Sequence, residues 1–372
     1  MDTCQTSHNP ESPTQPSPTS SNPYARTYLP ASSEPPSSSK PALQTVWLIF
    51  GATGHLGRSI CRVALARGDC VTAVGRNLPG EEVVMQGWHQ MCQGLVCDVR
   101  VRDTVSKVFG SALEHWGRVD VVVNCTGYGI IGACEDQDEH EIRAQFETNL
   151  IGAANIFQLT LPYFRERGSG MYIVFSSTAG TLGTPGLGQR TAYCATKWAV
   201  EGLAESLMYE VEPLGIKVTI VVPGLSRRDE PDENLNGPAP MWGHFLLKPP
   251  ADAYRATNSP AQHATRMIDW LKYKEPTSAI RIAEITWELG HSTHPPLRLF
   301  LGGHAVEAIR DRLRSTIEEV SLSLVYFFDA SWWWWWEELF LAGMGISDML
   351  TRIEDWKHLN FKGEDEGGGF LR

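Results

Sequence analysis

From about residue 45 the chain alternates short apolar runs with longer amphipathic ones. The apolar runs are VWLIF (46–50), CVTAV (70–74), GLVCDV (94–99), VDVVVNC (119–125), MYIVFSS (171–177), KVTIVVPG (217–224) and LRLFLG (297–302). Runs this continuous, rich in Val, Ile and Leu, predict strands covered on both faces, as in a parallel sheet. Between them, residues 102–116, 138–165 and 191–212 carry helical periodicity, and Pro213-Leu214-Gly215 stops the last. The alternation predicts an α/β fold: a single doubly wound parallel sheet of about seven strands. Ligands of such sheets bind beyond the carboxyl ends of the strands, so chemistry is sought there.

The first strand hands over to a helix through GATGHLG, residues 51–57. A buried strand ending in a glycine turn brings unpaired backbone N–H groups to the positive end of the helix, a site suited to pyrophosphate. Glycine is needed there for the turn and for close approach. This makes the sheet Rossmann-like and Gly51, Thr53, Gly54, His55, Leu56 and Gly57 candidate cofactor contacts. The second strand ends in Gly75-Arg76-Asn77, with no acidic residue in the turn. An acid there would bond a ribose 2′-hydroxyl, whereas Arg76 accommodates a 2′-phosphate and favours NADP(H); the alternative is a solvated surface arginine. Asp98 and Val99, ending the third strand, are placed to touch adenine.

The fifth strand ends in IVFSSTAG, and sixteen residues after Ser177 comes Tyr193 in YCATK. Tyr193 and Lys197 are four apart and share a helix face. A phenol has an ordinary pKa of about 10, and a neighbouring cation brings it towards a useful range. The pair alone is weak. Its weight comes from standing after Ser177 and three strands after the glycine turn.

Composition narrows the picture. The 372 residues carry a net charge of −11, with no Lys/Arg cluster, which argues against a nucleic-acid partner. The eight cysteines show no C-x-x-C pair and read as reduced, buried thiols. His291 and His294 in HSTH lack Cys or carboxylate company and read as surface residues, so no metal site is expected. Residues 1–44, dominated by Ser, Pro and Thr, read as a disordered tail without the features of a secretion signal, making the cytoplasm the expected location. A catalytic domain is expected over 45–319, followed by an atypical segment over 320–352 and a tail over 353–372. The segment holds five consecutive tryptophans, Trp332 to Trp336, interrupted by charges too often for a membrane anchor, so no membrane association is expected. Joining the sequence across it restores one polar helix and tail, and it is read as foreign to the fold, as a retained intron would be.

With these motifs in place, the chain resembles the short-chain dehydrogenase/reductase family over residues 46 to about 319, in its Tyr-x-x-x-Lys branch. YCATKWAVEGLAESLMYEVEPLGIKVTIVVPG is the most specific stretch, similar to fungal oxidoreductases and to retinol and hydroxysteroid dehydrogenase-like members. The resemblance implies that Tyr193 gives or takes a proton and that Lys197 lowers its pKa and holds the nicotinamide ribose. It further implies that Ser177 polarises the substrate oxygen and that Asn149 holds the helix and a relay water. Asn124 and Gly127 in NCTG match the family's NNAG, and Pro223-Gly224 its loop beside the nicotinamide. The implied activity is NADP(H)-dependent hydride transfer with a small-to-medium apolar carbonyl or secondary alcohol, within fungal metabolism, in a homodimer or homotetramer. A non-catalytic NADP(H) sensor or an inactive product is the alternative, because the turn is spelled G-x-x-G-x-x-G, with His55 where catalytic members have a glycine. Other departures are a longer interval between Ser177 and Tyr193, and Leu225-Ser226 where a Thr often follows Pro-Gly. Residues 225–258, with the apolar stretch MWGHFLL (241–247), suit either a substrate lid or a surface loop.

Overall fold

The computed structural model describes residues 43–76, 80–181, 191–227, 241–242, 244–256, 258–259, 266 and 277–327. The readings made on residues 1–42, 328–352 and 353–372, and on the loop between Thr181 and Thr191, lie outside this set. The chain divides into two compact units, Met1–Arg310 and Asp311–Arg372.

In the first unit, the elements in chain order are β1 (Val46–Phe50), α1 (His55–Ala66), β2 (Cys70–Gly75), α2 (Glu81–Gln86), β3 (Cys92–Val96), α3 (Arg102–Trp116), β4 (Val121–Asn124) and β5 (Gly129–Ile131). There follow α4 (Glu139–Phe146), α5 (Gly152–Arg167), β6 (Gly170–Phe175), α6 (Thr191–Val211), β7 (Ile216–Pro223), β8 (Ser226–Arg227), β9 (Met241–Trp242) and β10 (Phe245–Leu247). The last are β11 (Thr277–Ser278), α7 (Ala279–Gly290), β12 (Arg298–Leu301) and α8 (Gly303–Phe327), whose first residues belong to this unit.

Seven parallel strands form the central sheet in the order β12-β7-β6-β4-β1-β2-β3. The seven apolar runs are these seven strands. The third differs in its ends, spanning Cys92–Val96 rather than 94–99. Asp98 is already in the turn that starts α3, where its carboxylate accepts the backbone N–H of Arg100 and its carbonyl accepts Thr104 Oγ1.

Both faces of the sheet are covered, which is why the strands read as unbroken apolar runs. On β1, Trp47 and Ile49 join a core with Ile60, Cys61 and Ala64 of α1 and Ile282, Ala283 and Trp287 of α7. The intervening Leu48 and Phe50 join the opposite core with Val105 and Val108 of α3, Ile156 of α5 and Val200 of α6. The order reverses between β1 and β4, so the glycine turn after β1 and the loop after β4 open onto one crevice.

At the amino ends of the strands, Asp69 is 1 % exposed and corrects the reading of His291. Its Oδ2 accepts Trp47 Nε1 at 2.9 Å and Trp287 Nε1 at 2.7 Å and stands 2.9 Å from His291 Nε2, while Oδ1 accepts the N–H of Thr45 at 2.8 Å. His291 is wholly buried rather than at the surface, because α7 ends over this carboxylate; His294 is exposed. In the second unit, the described stretch 311–327 is helical, with Arg314–Asp311 and Arg312–Glu319 ion pairs and exposed Leu313, Ile317 and Val320. The helix therefore continues past Val320, where the atypical segment is expected to begin.

Candidate active site

Two of the three turn glycines are fixed by sterics. Gly51 has φ +83°, and a Cβ there would stand 2.9 Å from the carbonyl carbon and oxygen of Cys125. At Gly57 a Cβ would come 2.2 Å from the carbonyl oxygen of Gly51. Gly54 is looser, with 3.3 Å to that same oxygen, and caps α1 in extended conformation without a side-chain hydrogen bond. No acidic residue lies in the first turn of α1. The cradle and the uncapped positive helix end together fit a pyrophosphate. His55, at the first helical position, reaches across the crevice, with its Nε2 3.0 Å from Ser226 Oγ. Ser226 thus pairs with the turn, and its backbone pairs with β11.

Arg76 leaves the end of β2 exposed. Glu81 returns to it: a Cβ on Gly75 would meet Glu81 Oε2 at 2.6 Å and Thr53 Cγ2 at 2.9 Å. Burial raises the Glu81 carboxyl above its usual range, opposed by the Arg76 charge. The sequence turn holds no acid, but the folded crevice does, because α2 brings one back. Asp98 is gripped by Arg100, through Nε at 2.9 and 3.0 Å and Nη2 at 2.6 Å, which lowers its pKa. Val99 is buried under α5, where a Cβ on Gly152 would meet Val99 Cγ2 at 2.6 Å and Asn155 Nδ2 donates to the Val99 carbonyl.

The predicted 138–165 helix is α4 and α5 joined through a π-helical turn, Glu147–Ile151, with Asn149 in its middle. A π turn inserts a residue into the helical ladder and re-aims side chains, commonly at functional sites. Here Asn149 Oδ1 accepts the N–H of Tyr128 at 3.0 Å, while Nδ2 donates to the Tyr128 carbonyl at 2.8 Å and to Thr196 Oγ1 at 2.9 Å. The asparagine therefore ties the loop after β4 to α6. Asn124 ends β4 with its Oδ1 accepting the N–H and hydroxyl of Thr126. Gly127 has φ +150°, and a Cβ there would sit 3.2 Å from Asn149 Oδ1 and 3.5 Å from Lys197 Nζ.

Tyr193 and Lys197 share one face of α6, both buried. Lys197 Nζ donates to the carbonyl of Phe175 at 2.9 Å and lies 5.8 Å from the Tyr193 ring centroid. Burial pulls the ammonium down to about 8, opposed by Cys125 and by Glu201 one turn on. Ser177 follows β6 and caps a single 3-10 turn, Thr178–Gly180, accepting Ala179 N–H at 3.3 Å. Ala179 in turn packs against Tyr193. Pro223 ends β7, and Gly224 N–H donates to Leu301 on β12 at 2.9 Å.

The sequence reading missed several groups here. Ser176 Oγ lies 2.6 Å from Glu201 Oε1, and Arg298 holds Glu201 and Glu205. Glu201 continues the Tyr193/Lys197 face by another four residues, a spacing visible in the sequence. The described part of 241–247 forms β9 and β10, which join β5 in a small sheet whose Ile131, Phe245 and Leu247 pack with Tyr193. Nothing in its sequence announces that partner.

The fold and this crevice define a Rossmann-like α/β protein of the dinucleotide-binding class. A family model described as short chain dehydrogenase matches residues 45–232. The oxidoreductase BOA17 of Botryotinia fuckeliana (strain B05.10) is 33 % identical over 266 residues, 70 % of this chain and 90 % of that protein. A short-chain dehydrogenase from Streptomyces avermitilis superposes with a TM-score of 0.65 at 32 % identity, covering 77 % of this chain and 99 % of that one. ElxO with NADP bound shares the fold at 17 % identity and a TM-score of 0.55, covering 71 % and 99 %. The chain belongs to the short-chain dehydrogenase family and is an oxidoreductase. Among the described residues no helix is long and apolar enough to cross a membrane.

Proposed function

We propose that the protein is an NADP(H)-dependent reductase or dehydrogenase acting on a carbonyl or secondary alcohol of a small-to-medium apolar substrate. The observation that carries this reading is the convergence on one crevice of a glycine cradle, a buried lysine and the tyrosine one turn before it. The nicotinamide cofactor, when bound, supplies hydride chemistry. Gly51, Thr53, Gly54, His55, Leu56 and Gly57 would hold its pyrophosphate, Arg76 its 2′-phosphate, and Asp98 and Val99 its adenine. Asn124, Gly127, Pro223 and Gly224 would border the nicotinamide half.

In this reading Tyr193 gives a proton to the substrate oxygen during reduction and takes it during oxidation. Ser177 orients that oxygen. Lys197 favours the phenolate as a buried cation, and its bond to the Phe175 carbonyl holds the ammonium in place. Asn149 fixes the loop after β4 against α6. Ile131, Ala179, Phe245 and Leu247 make the surroundings of Tyr193 apolar, which suits an apolar substrate. The NADP(H) preference is supported by Arg76 and by the ElxO neighbour with its bound NADP, and is opposed locally by Glu81.

The test is titration with NADPH and then NADH, followed by nicotinamide fluorescence. NADPH is expected to bind at least tenfold tighter, Arg76→Ala to erase the difference, and Glu81→Gln to widen it. A carbonyl panel with NADPH then reads turnover, with Tyr193→Phe losing 10³-fold or more, on the order of the 10²–10⁴ a positioned acid or base contributes. Equal binding of both nucleotides, or full activity of Tyr193→Phe, overturns the proposal.

A further inference from the structure

β10 runs parallel to β5, with Phe245 paired to Gly129, and the N–H of Gly129 donates to the carbonyl of His244 at 3.1 Å. That pairing sets the imidazole against the tyrosine of α6. His244 Nε2 lies 3.3 Å from Tyr193 Oη, with ring centroids 5.8 Å apart. Phe245 packs edge-on to Tyr193 at 4.9 Å and against His244 at 4.1 Å. The three rings fit because position 129 is glycine: a Cβ there would meet the Phe245 and Tyr193 rings at 2.7 Å. Tyr193 is 2 % exposed and Phe245 3 %, whereas His244 is half-buried. The 3.3 Å contact therefore joins a buried tyrosine to a half-buried imidazole.

We propose that His244 is a further catalytic residue, a second proton-exchanging partner of Tyr193 that links its hydroxyl to solvent beside the relay water expected at Asn149. This rests on Tyr193 acting on the substrate oxygen as proposed above. A phenol has one O–H to donate and lone pairs to accept with, and a histidine nitrogen can do either. As an imidazolium, protonated at both ring nitrogens, His244 donates from Nε2 to Oη and leaves the phenol O–H for the substrate oxygen; after the transfer it is a neutral imidazole with its proton on Nδ1. During reduction the Tyr193 O–H bond breaks as its proton passes to that oxygen. The Nε2–H bond then breaks as the phenol O–H reforms, and solvent returns one proton to the imidazole. Oxidation runs the same transfers backwards, and no electrons pass through His244. Besides Tyr193, the titratable and charged groups around this strand include Tyr128 beside Gly129, Cys194 and Lys197 of α6, and the Glu141–Lys248 pair just beyond β10.

The experiment uses the full chain with NADPH and a turned-over carbonyl, comparing His244→Phe, His244→Gln and His244→Ala with Tyr193→Phe. His244→Phe is expected to keep NADPH affinity and KM within twofold and to lower kcat tenfold or more. Its kcat–pH profile should lose the limb that His244 contributes, its solvent isotope effect should rise, and added imidazole should restore His244→Ala. A second readout needs no turnover: the imidazole NMR titration of His244, assigned with His244→Gln, should shift its midpoint in Tyr193→Phe. Wild-type kcat and pH profile in His244→Phe, full recovery in His244→Gln, or an unmoved titration each overturns the proposal. Activity retained by Tyr193→Phe instead overturns the reading beneath it.

Discussion

The carbonyl oxygen of Gly51 stands 2.2 Å from where Gly57 would carry a Cβ, and 3.3 Å from the corresponding point on Gly54. The outer glycines are therefore the obligatory ones, and the middle one is not. His55 opens α1 as an ordinary helical residue, with its side chain on Ser226, so the turn closes with a histidine there.

Gly57→Ala is expected to lose about 2–3 kcal/mol of stability through backbone overpacking, and to lose nicotinamide binding with it. Gly54→Ala should cost under about 1 kcal/mol, since an extended φ suits alanine. Urea unfolding and fluorescence titration of both variants check this; equal losses would show that the contact distances do not govern the turn.

Lys197 sets a pH dependence of known sign. Burial pulls the folded-state value to about 8, whereas an unfolded lysine titrates at about 10.4. Between those values the unfolded chain binds more protons, so this group makes stability rise with pH; below about 8 its burial cost is fully present. Lys197→Met should thus stabilise the fold at pH 7 by roughly 1–3 kcal/mol, with the gain shrinking as pH climbs towards 10.5, while turnover is lost. In the wild type, kcat/KM should fall above about pH 8 as the ammonium deprotonates. A variant whose stability gain does not change between pH 7 and 10 would contradict the assignment.

Glu201 ties the loop after β6 to α6 by accepting from Ser176 Oγ and from Arg298. Glu201→Gln keeps the volume and a Ser176 contact, and should cost about 1–2 kcal/mol and tenfold or less in kcat. Glu201→Leu strands the buried Ser176 hydroxyl and part of Arg298, and should cost about 3 kcal/mol or more. Thermal melts and kinetics on the pair read this, and equal effects of the two changes would be inconsistent with the network.

Asp69 receives two indole N–H groups, the Thr45 amide and the His291 contact at the opposite end of the sheet. Asp69→Ala should destabilise by about 3–5 kcal/mol, leaving several buried donors unpaired, with kcat per folded molecule unchanged. A drop in kcat without a drop in melting temperature would place Asp69 in the chemistry instead.

The sequence was most legible where burial is two-sided and local. The five inner strands of the central sheet are buried almost throughout on both faces, and the edge strands β3 and β12 still carry short apolar runs, so all seven stand out without any knowledge of order. Tyr193 and Lys197 declare themselves by a spacing that one helix turn must bring together. The π turn at Asn149 was not legible, because the residues around it keep an unbroken helical pattern. His291 read as a surface histidine because its partner, Asp69, is 222 positions away.

By itself, then, the sequence determined the alternation of strands and helices, the glycine turn and the Tyr–Lys face, since each depends on neighbours within a few residues. Only the tertiary structure decided that Glu81 comes back beside Arg76, that Glu201 meets Ser176 and that β10 sets His244 against Tyr193. Those pairings depend on strand order and on where helices return, and such long-range closure leaves no local period in the chain.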